Sequence, residues 1–246
     1  MLDMAFEEAG HCVVRAEAQE MQIPICFHPP ARRFNGVIGG PPCQRFSKLA
    51  HIVKAKGQEL APNLIPEYER VVSEAEPDWF LMENVPDAPD PIVARYFVAR
   101  EMLQDSWVGG ATSRLRKFCF GHRDPAVTHT WRKALQTQMH AVTVENPERT
   151  VVAQSSKEGA LAKSQGELKT GVSARLKREA GVLPGQKPRR AFEHCCELQG
   201  LPRDFLEDSP FTSAGKYLVV GNGVPLPMGR AVAAAIATAI KLERAA

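Results

Sequence analysis

Two periods of apolar and polar positions alternate along the first half of the chain. Residues 2–9 (LDMAFEEA) carry apolar side chains at helical spacing and stop at Gly10, which predicts a short amphipathic helix. Residues 11–16 (HCVVRA) are rich in β-branched types and read as a strand. Residues 34–38 (FNGVI) predict an apolar strand closed by Gly39-Gly40-Pro41-Pro42, residues 65–75 a helix, and residues 79–82 (WFLM) a second buried strand. Residues 117–120 (KFCF) are a further strand, and residues 228–242 (MGRAVAAAIATAIKL) a helix apolar enough to pack into the main core. Strands separated by helical segments predict the α/β class with a parallel, doubly wound sheet. In such sheets ligands sit beyond the carboxyl ends of strands, and the two most unusual loops fall there.

From His122 to about Pro188 the periodicity weakens into polar, Gly- and Lys-rich sequence, which reads as a small separate module. Charge changes the picture at the same place. Residues 122–190 hold 13 Lys/Arg against 6 Asp/Glu, whereas the remainder holds 18 against 22, within an overall net charge of only +3. A basic segment on a neutral body suits contact with nucleic acid, with a solvated surface region as the plain alternative. The organisation expected is a main domain over 1–121, a small domain over 122–215 and a C-terminal helix over 216–246 returning to the main domain.

With 246 residues and 44% apolar content the chain is long enough to bury a substantial core. It shows no leader-like N-terminus and no uninterrupted apolar run of membrane length, so a soluble, cytoplasmic protein without membrane contact is expected. The cysteines, Cys12, Cys26, Cys43, Cys119, Cys195 and Cys196, have neither zinc-site nor disulfide-framework spacing, so no metal is expected.

Cys43 stands out because it follows a rigid Pro-Pro pair at a strand end and is itself followed by Gln44, Arg45, Phe46 and Ser47. Two prolines restrict the backbone, which positions a thiol for attack, and Arg45 nearby favours the thiolate. Spacing alone leaves a structural or surface cysteine open.

The segment GGPPCQRFS (residues 39–47) resembles the nucleophile loop of the DNA cytosine-C5 methyltransferases. Further segments fall in that family's order: Glu83-Asn84-Val85 after the second buried strand, TSRLRKFCFG (112–121), ELQGLPRDF (197–205) and Gly221-Asn222-Gly223-Val224 before the last helix. The resemblance implies a Rossmann-like methyltransferase sheet with a target-recognition domain, acting as a monomer on double-stranded DNA with S-adenosylmethionine. It implies that Cys43 adds to C6 of a cytosine, that Glu83 holds and protonates the ring at N3, and that Arg114 and Arg116 bind the base carbonyl and neighbouring phosphate or carboxylates. One residue apart on a strand, the two arginines are expected on the same side. Gln44, Ser47 and Asn84 are implied as substrate contacts, and Glu17, Pro41, Leu64, Asn222, Gly223 and Val224 as cofactor contacts. A cytosine inside a duplex must be rotated out, at a cost of roughly a few kcal/mol, which phosphate contacts by the basic module would offset.

The chain also departs from the pattern. Family members begin with a strand and a glycine-rich turn at the cofactor, and this chain starts with what resembles the helix that follows them, so that first strand is expected to be missing. Around Pro24-Ile25-Cys26 no acid stands toward the adenine, Glu193-His194 replaces a customary Arg-Glu, and Thr112 replaces a common Gln. Glu17 is open to a plain surface role. A catalytically silent DNA-binding relative, a shortened form of a normal enzyme and a cysteine amidase are the competing readings.

Overall fold

The computed structural model describes residues 1–14, 28–46, 57, 59–139, 141–151 and 190–245. In chain order its elements are α1 (Leu2–Glu8), β1 (Gly36–Gly39), α2 (Ile65–Ala75), β2 (Trp79–Asn84), β3 (Phe97–Gln104), β4 (Leu115–His122), α3 (Pro125–Met139), α4 (Phe192–Leu198), α5 (Ser213–Asn222) and α6 (Leu226–Ala245). Short 3-10 turns lie at Gln44–Phe46 and Asp105–Trp107. The strands form one sheet in the order β1-β2-β4-β3.

Strand β2 shows why this sheet carries helices on both faces. Its side chains alternate, Trp79 and Leu81 to one cluster and Phe80 and Met82 to another, and all four are buried. The first cluster joins Phe6 of α1, Trp131 and Leu135 of α3, and Val232 and Ile236 of α6 to Phe118 and Phe120 of β4. The second joins Ile65, Tyr68 and Val72 of α2 to Cys119 of β4. Helix α2 forms where expected because Ile65, Tyr68, Val72 and Ala75 recur on one face, Pro66 suits its first turn, and Glu76 ends it in the left-handed region at φ 44°. Helices α1 and α6 approach closely at Gly229, where an added Cβ would stand 2.8 Å from the Ala5 Cβ. An exposed two-bond ion pair between Arg230 and Glu8 flanks that contact.

The α/β class is as expected, and the pairing is mixed rather than parallel throughout. β1 and β2 are parallel, with Gly36 opposite Trp79 and Gly39 opposite Met82, but β4 is antiparallel to both β2 and β3. The connection from β3 to β4, Asp105 to Arg114, contains no crossover helix, and two strands joined that way pair antiparallel. Strand β3 escapes the sequence reading because Arg100 and Glu101 interrupt its alternation at the sheet margin. Residues 11–14 form no strand. Val13 packs against the main core while Val14 is exposed, and residues 15 and 16 lie outside the described residues.

Helix α3 is the largest departure from expectation, since the polar sequence from His122 onward predicts a separate module. Its Val127, Thr128, Trp131 and Leu135 form a buried stripe, and it packs against β3, β4 and α6. Asp124 accepts from the Ala126 amide at 2.8 Å just ahead of Pro125, a helix start visible in the sequence. A third cluster joins α4 and α5 through Cys195, Cys196, Leu198, Tyr217 and Val220, with Val151 and the partly buried Met1 and Met4.

Candidate functional site

Parallel pairing of β1 and β2 brings their carboxyl ends to the same margin of the sheet, and with them the loop of Cys43 and the pair Glu83-Asn84. Two contacts join these segments. Asn84 Nδ2 donates to the Pro41 carbonyl at 3.0 Å, and a Cβ on Gly40 would stand 3.0 Å from Glu83 Oε2, so any larger residue there would press on the carboxylate. The prolines lead into the turn Gln44–Phe46, closed by the Phe46 amide donating to the Cys43 carbonyl at 3.0 Å. Cys43 is half-buried there.

Glu83 pairs with Arg116 of β4, Nε to Oε1 at 2.8 Å, and the two side chains are 14% and 17% exposed. Burial pushes the Glu83 carboxyl above its ordinary range, against the opposing charges of Arg116 and Arg114. Such a carboxyl is suited to carry a proton when a base arrives to receive it. Arg116 Nη1 donates to the Leu115 carbonyl at 2.9 Å, which fixes the guanidinium beside the acid.

Arg114 takes a different position from the one its spacing implies. It precedes β4, is fully buried, and donates from Nη1 to the carbonyls of Val151 and Gly221, each at 3.0 Å, and from Nη2 to that of Asn222 at 3.2 Å. Gly221 and Asn222 end α5, so the guanidinium satisfies carbonyls that the helix leaves without partners and places positive charge at the negative end of its dipole. Burial and the like charge of Arg116 pull its pKa down to about 10, with Glu83, Cys43 and Asp105 acting the other way, so it stays charged at neutral pH. Arg45, expected beside the thiol, is exposed and donates to the Ala61 carbonyl at 3.2 Å.

The remaining expected residues are dispersed in kind. Gln44 is exposed, and Ser47 and Glu17 lie outside the described residues. Pro41 and Leu64 are half-buried, Leu64 at the N-terminus of α2. Val224 is buried in the main core, Asn222 is exposed, and the Met1 side chain stands directly against Gly223.

Three supporting residues escaped the sequence reading. Asp105 is buried and accepts at Oδ2 from the Thr112 amide at 3.0 Å and hydroxyl at 2.7 Å, which gives Thr112 a defined task in holding the β3–β4 connection. Gln199 donates from its side chain to the Val220 carbonyl at 2.8 Å, and its backbone carbonyl accepts from the Leu226 amide at 2.9 Å, so it braces the α5–α6 junction. Lys117 is buried among apolar neighbours on β4. Lys117 and Gln199 lie in the segments 112–121 and 197–205, whereas Asp105 lies in none of them.

Residues 17–174 match the family described as C-5 cytosine-specific DNA methylase. The type II methyltransferase M.SacI of Streptomyces achromogenes is 49% identical over 51 residues, 20% of this chain and 13% of the relative. The type II methyltransferase M.HgiDI of Herpetosiphon aurantiacus is 31% identical over 101 residues, 37% of this chain and 32% of the relative. The chain thus spans about a third or less of the length of these relatives. Among solved structures, a DNMT2 mutant of Spodoptera frugiperda overlaps 82% of this chain and 79% of its own, with a TM-score of 0.49 and 14% identity.

Proposed function

The chain belongs to the C-5 cytosine-specific DNA methylase family, and from that premise we propose that it transfers a methyl group from S-adenosylmethionine to C5 of a cytosine in double-stranded DNA. The observation that carries this reading is the junction at the sheet margin, where Asn84 holds Pro41 and Gly40 lies against Glu83, so that one thiol and one raised carboxyl share a site.

The Cys43 sulfur, as thiolate, forms a bond to C6 of the rotated-out cytosine. The electron pair of the C5–C6 double bond moves into the ring, and the proton held by Glu83 passes to N3, which relieves the charge. C5 is then enamine-like and nucleophilic. Once C5 has taken the methyl group, whose bond to the cofactor sulfur would break with the electron pair left on sulfur, water would remove the C5 proton as Cys43 leaves as thiolate, and the N3 proton would return to Glu83, which restores the aromatic ring. Arg116 keeps Glu83 in place through this exchange by its 2.8 Å contact. S-adenosylmethionine supplies the electrophilic methyl group in this family. The described residues do not complete a site for it, since Met1 fills the space against Gly223 and Val224 points its side chain into the core.

Recognition belongs in this reading to the basic stretch that follows α3. The boundary proposed for it lies beyond Met139 rather than at His122, because α3 packs on the catalytic sheet. Kinship with type II methyltransferases supports a role in restriction-modification.

The Met1–Gly223 contact favours a second reading, a relative that grips DNA and a base without transferring methyl. One experiment separates the two: covalent complex formation with duplex DNA containing 5-fluorocytosine, with and without S-adenosylmethionine, using Cys43→Ala as control. An adduct that requires the cofactor and disappears in the variant supports the methyltransferase. DNA binding without an adduct supports the silent relative.

A further inference from the structure

Behind the junction just described, on the opposite face of the sheet, lies a buried ammonium that the proposed chemistry does not use. Lys117 is 3% exposed within a run of buried positions from Lys117 to His122. An ammonium in such a place is costly unless its bonds are made and used. Its Nζ donates to the Ala88 carbonyl and pairs with Asp90 Oδ1 at 2.8 Å, while Arg100 pairs with the other Asp90 oxygen at 3.1 Å. Burial works against the Asp90 charge, but the Lys117 bond and the two cations hold its carboxyl below the ordinary carboxylate range.

Ala88 and Asp90 belong to the loop that leaves β2 directly after Glu83-Asn84. From Lys117 a continuous series of hydrogen bonds runs to the loop of Cys43. The Ala88 amide donates to the Val85 carbonyl at 3.1 Å, the Val85 amide donates to Asn84 Oδ1 at 2.8 Å, and Asn84 Nδ2 donates to the Pro41 carbonyl at 3.0 Å. Asn84 and Lys117 are also register partners across β2 and β4, so both ends of the series are set by one rung of the sheet. The alternation of side chains puts Glu83 and Arg116 on one face and Asn84 and Lys117 on the other.

We propose that Lys117, braced by Asp90, is a positioning residue for the Cys43 loop, acting through Ala88, Val85 and Asn84. Its catalytic meaning rests on the reading of Cys43 as nucleophile, but its mechanical content does not. A thiol that must meet C6 at bonding distance loses rate steeply with small displacements, so an anchor two residues from it has a direct effect on attack.

The test uses the full chain with two variants. Lys117→Met keeps the unbranched stem and removes the ammonium, and Asp90→Ala removes its partner from a position 34% exposed. The first readout needs neither DNA nor cofactor: the rate at which iodoacetamide alkylates Cys43, followed on its peptide by mass spectrometry. Exposed Cys12 reports intrinsic reagent reactivity, and buried Cys195 and Cys196 report global opening. Release of the loop is expected to speed Cys43 alkylation by about threefold or more, with Cys12 unchanged and Cys195 and Cys196 still protected, as local opening requires. The second readout is the 5-fluorocytosine adduct, expected to form about tenfold more slowly at unchanged DNA affinity. A wild-type Cys43 rate in a folded variant overturns the proposal, and if Lys117→Met does not fold, Asp90→Ala carries the same comparison. If the wild-type chain forms no adduct, the methyltransferase reading fails while the alkylation rates still decide the part of Lys117.

Discussion

Arg116 Nε lies 2.8 Å from Glu83 Oε1, and this pair sets how readily the carboxyl beside Cys43 gives up its proton. Burial raises Glu83 above its ordinary 4.5, and the arginine acts in the opposite direction. Removing the cation in Arg116→Met leaves burial opposed only by the more distant charge of Arg114, so the carboxyl rises further. A carboxyl raised by folding is most favourable to the fold below its unfolded pKa and loses that contribution as pH rises through its folded pKa. Arg116→Met is therefore expected to lose about 3 kcal/mol at pH 7, as for a broken buried pair, and clearly less at pH 4.5. Urea unfolding at the two pH values checks this, and equal losses at both would contradict it. In adduct formation, the fall in rate with rising pH should begin at a higher pH in the variant than in the wild type.

Gly40 gives a prediction of the opposite kind, with chemistry affected more than stability. The Cβ of Gly40→Ala would meet Glu83 Oε2 at 3.0 Å, and the carboxylate end of a side chain can give way. The expected outcome is a stability change within about 1 kcal/mol and an adduct rate lower by about tenfold, because the acid is displaced from its working position. Unfolding midpoints and adduct kinetics on the same preparation measure both.

For Arg114 the ordering reverses. Three carbonyl bonds depend on its two terminal nitrogens, and Leu in its place strands buried acceptors. Arg114→Leu should cost about 3 kcal/mol, and Arg114→Lys should recover only part of it, because one ammonium does not reproduce the fork. Denaturant unfolding of the three proteins is the check. Full recovery by lysine would mean that charge at the end of α5, rather than the set of bonds, is what counts.

Helices α1 and α6 supply a stability contrast away from the site. Gly229→Val must push apart backbones that allow only 2.8 Å to the Ala5 Cβ, and should cost roughly 1–3 kcal/mol by overpacking. Arg230→Ala breaks the neighbouring pair with Glu8, which is largely exposed, and should cost about 0.5 kcal/mol or less. Thermal unfolding of the two variants measures the contrast.

Much of the sheet was legible because its signals are local. The residues of β2 read as a strand because four consecutive positions are buried on two faces, and α2 because its apolar residues share one face. Helix α3 was hidden by composition: its buried stripe lies among Thr, His, Arg and Gln, although Asp124-Pro125 marked its start. The antiparallel place of β4 depends on contacts between distant segments, which periodicity does not encode. At the site, the types and order of Cys43, Glu83 and Arg116 were legible, whereas the retreat of Arg114 to three carbonyls was not. Strand parity says which side an arginine leaves from, and the ends of α5 and of the segment at Val151 decide where it arrives.

One nitrogen of Arg114 receives the chain at Val151 and receives it again at Gly221, each at 3.0 Å. Whatever runs between these two points starts and finishes on the same suture, moored to the residue that leads into β4. The segment at Val151, the end of α5 and the start of β4 therefore share one knot, and loss of that single guanidinium would loosen all three together.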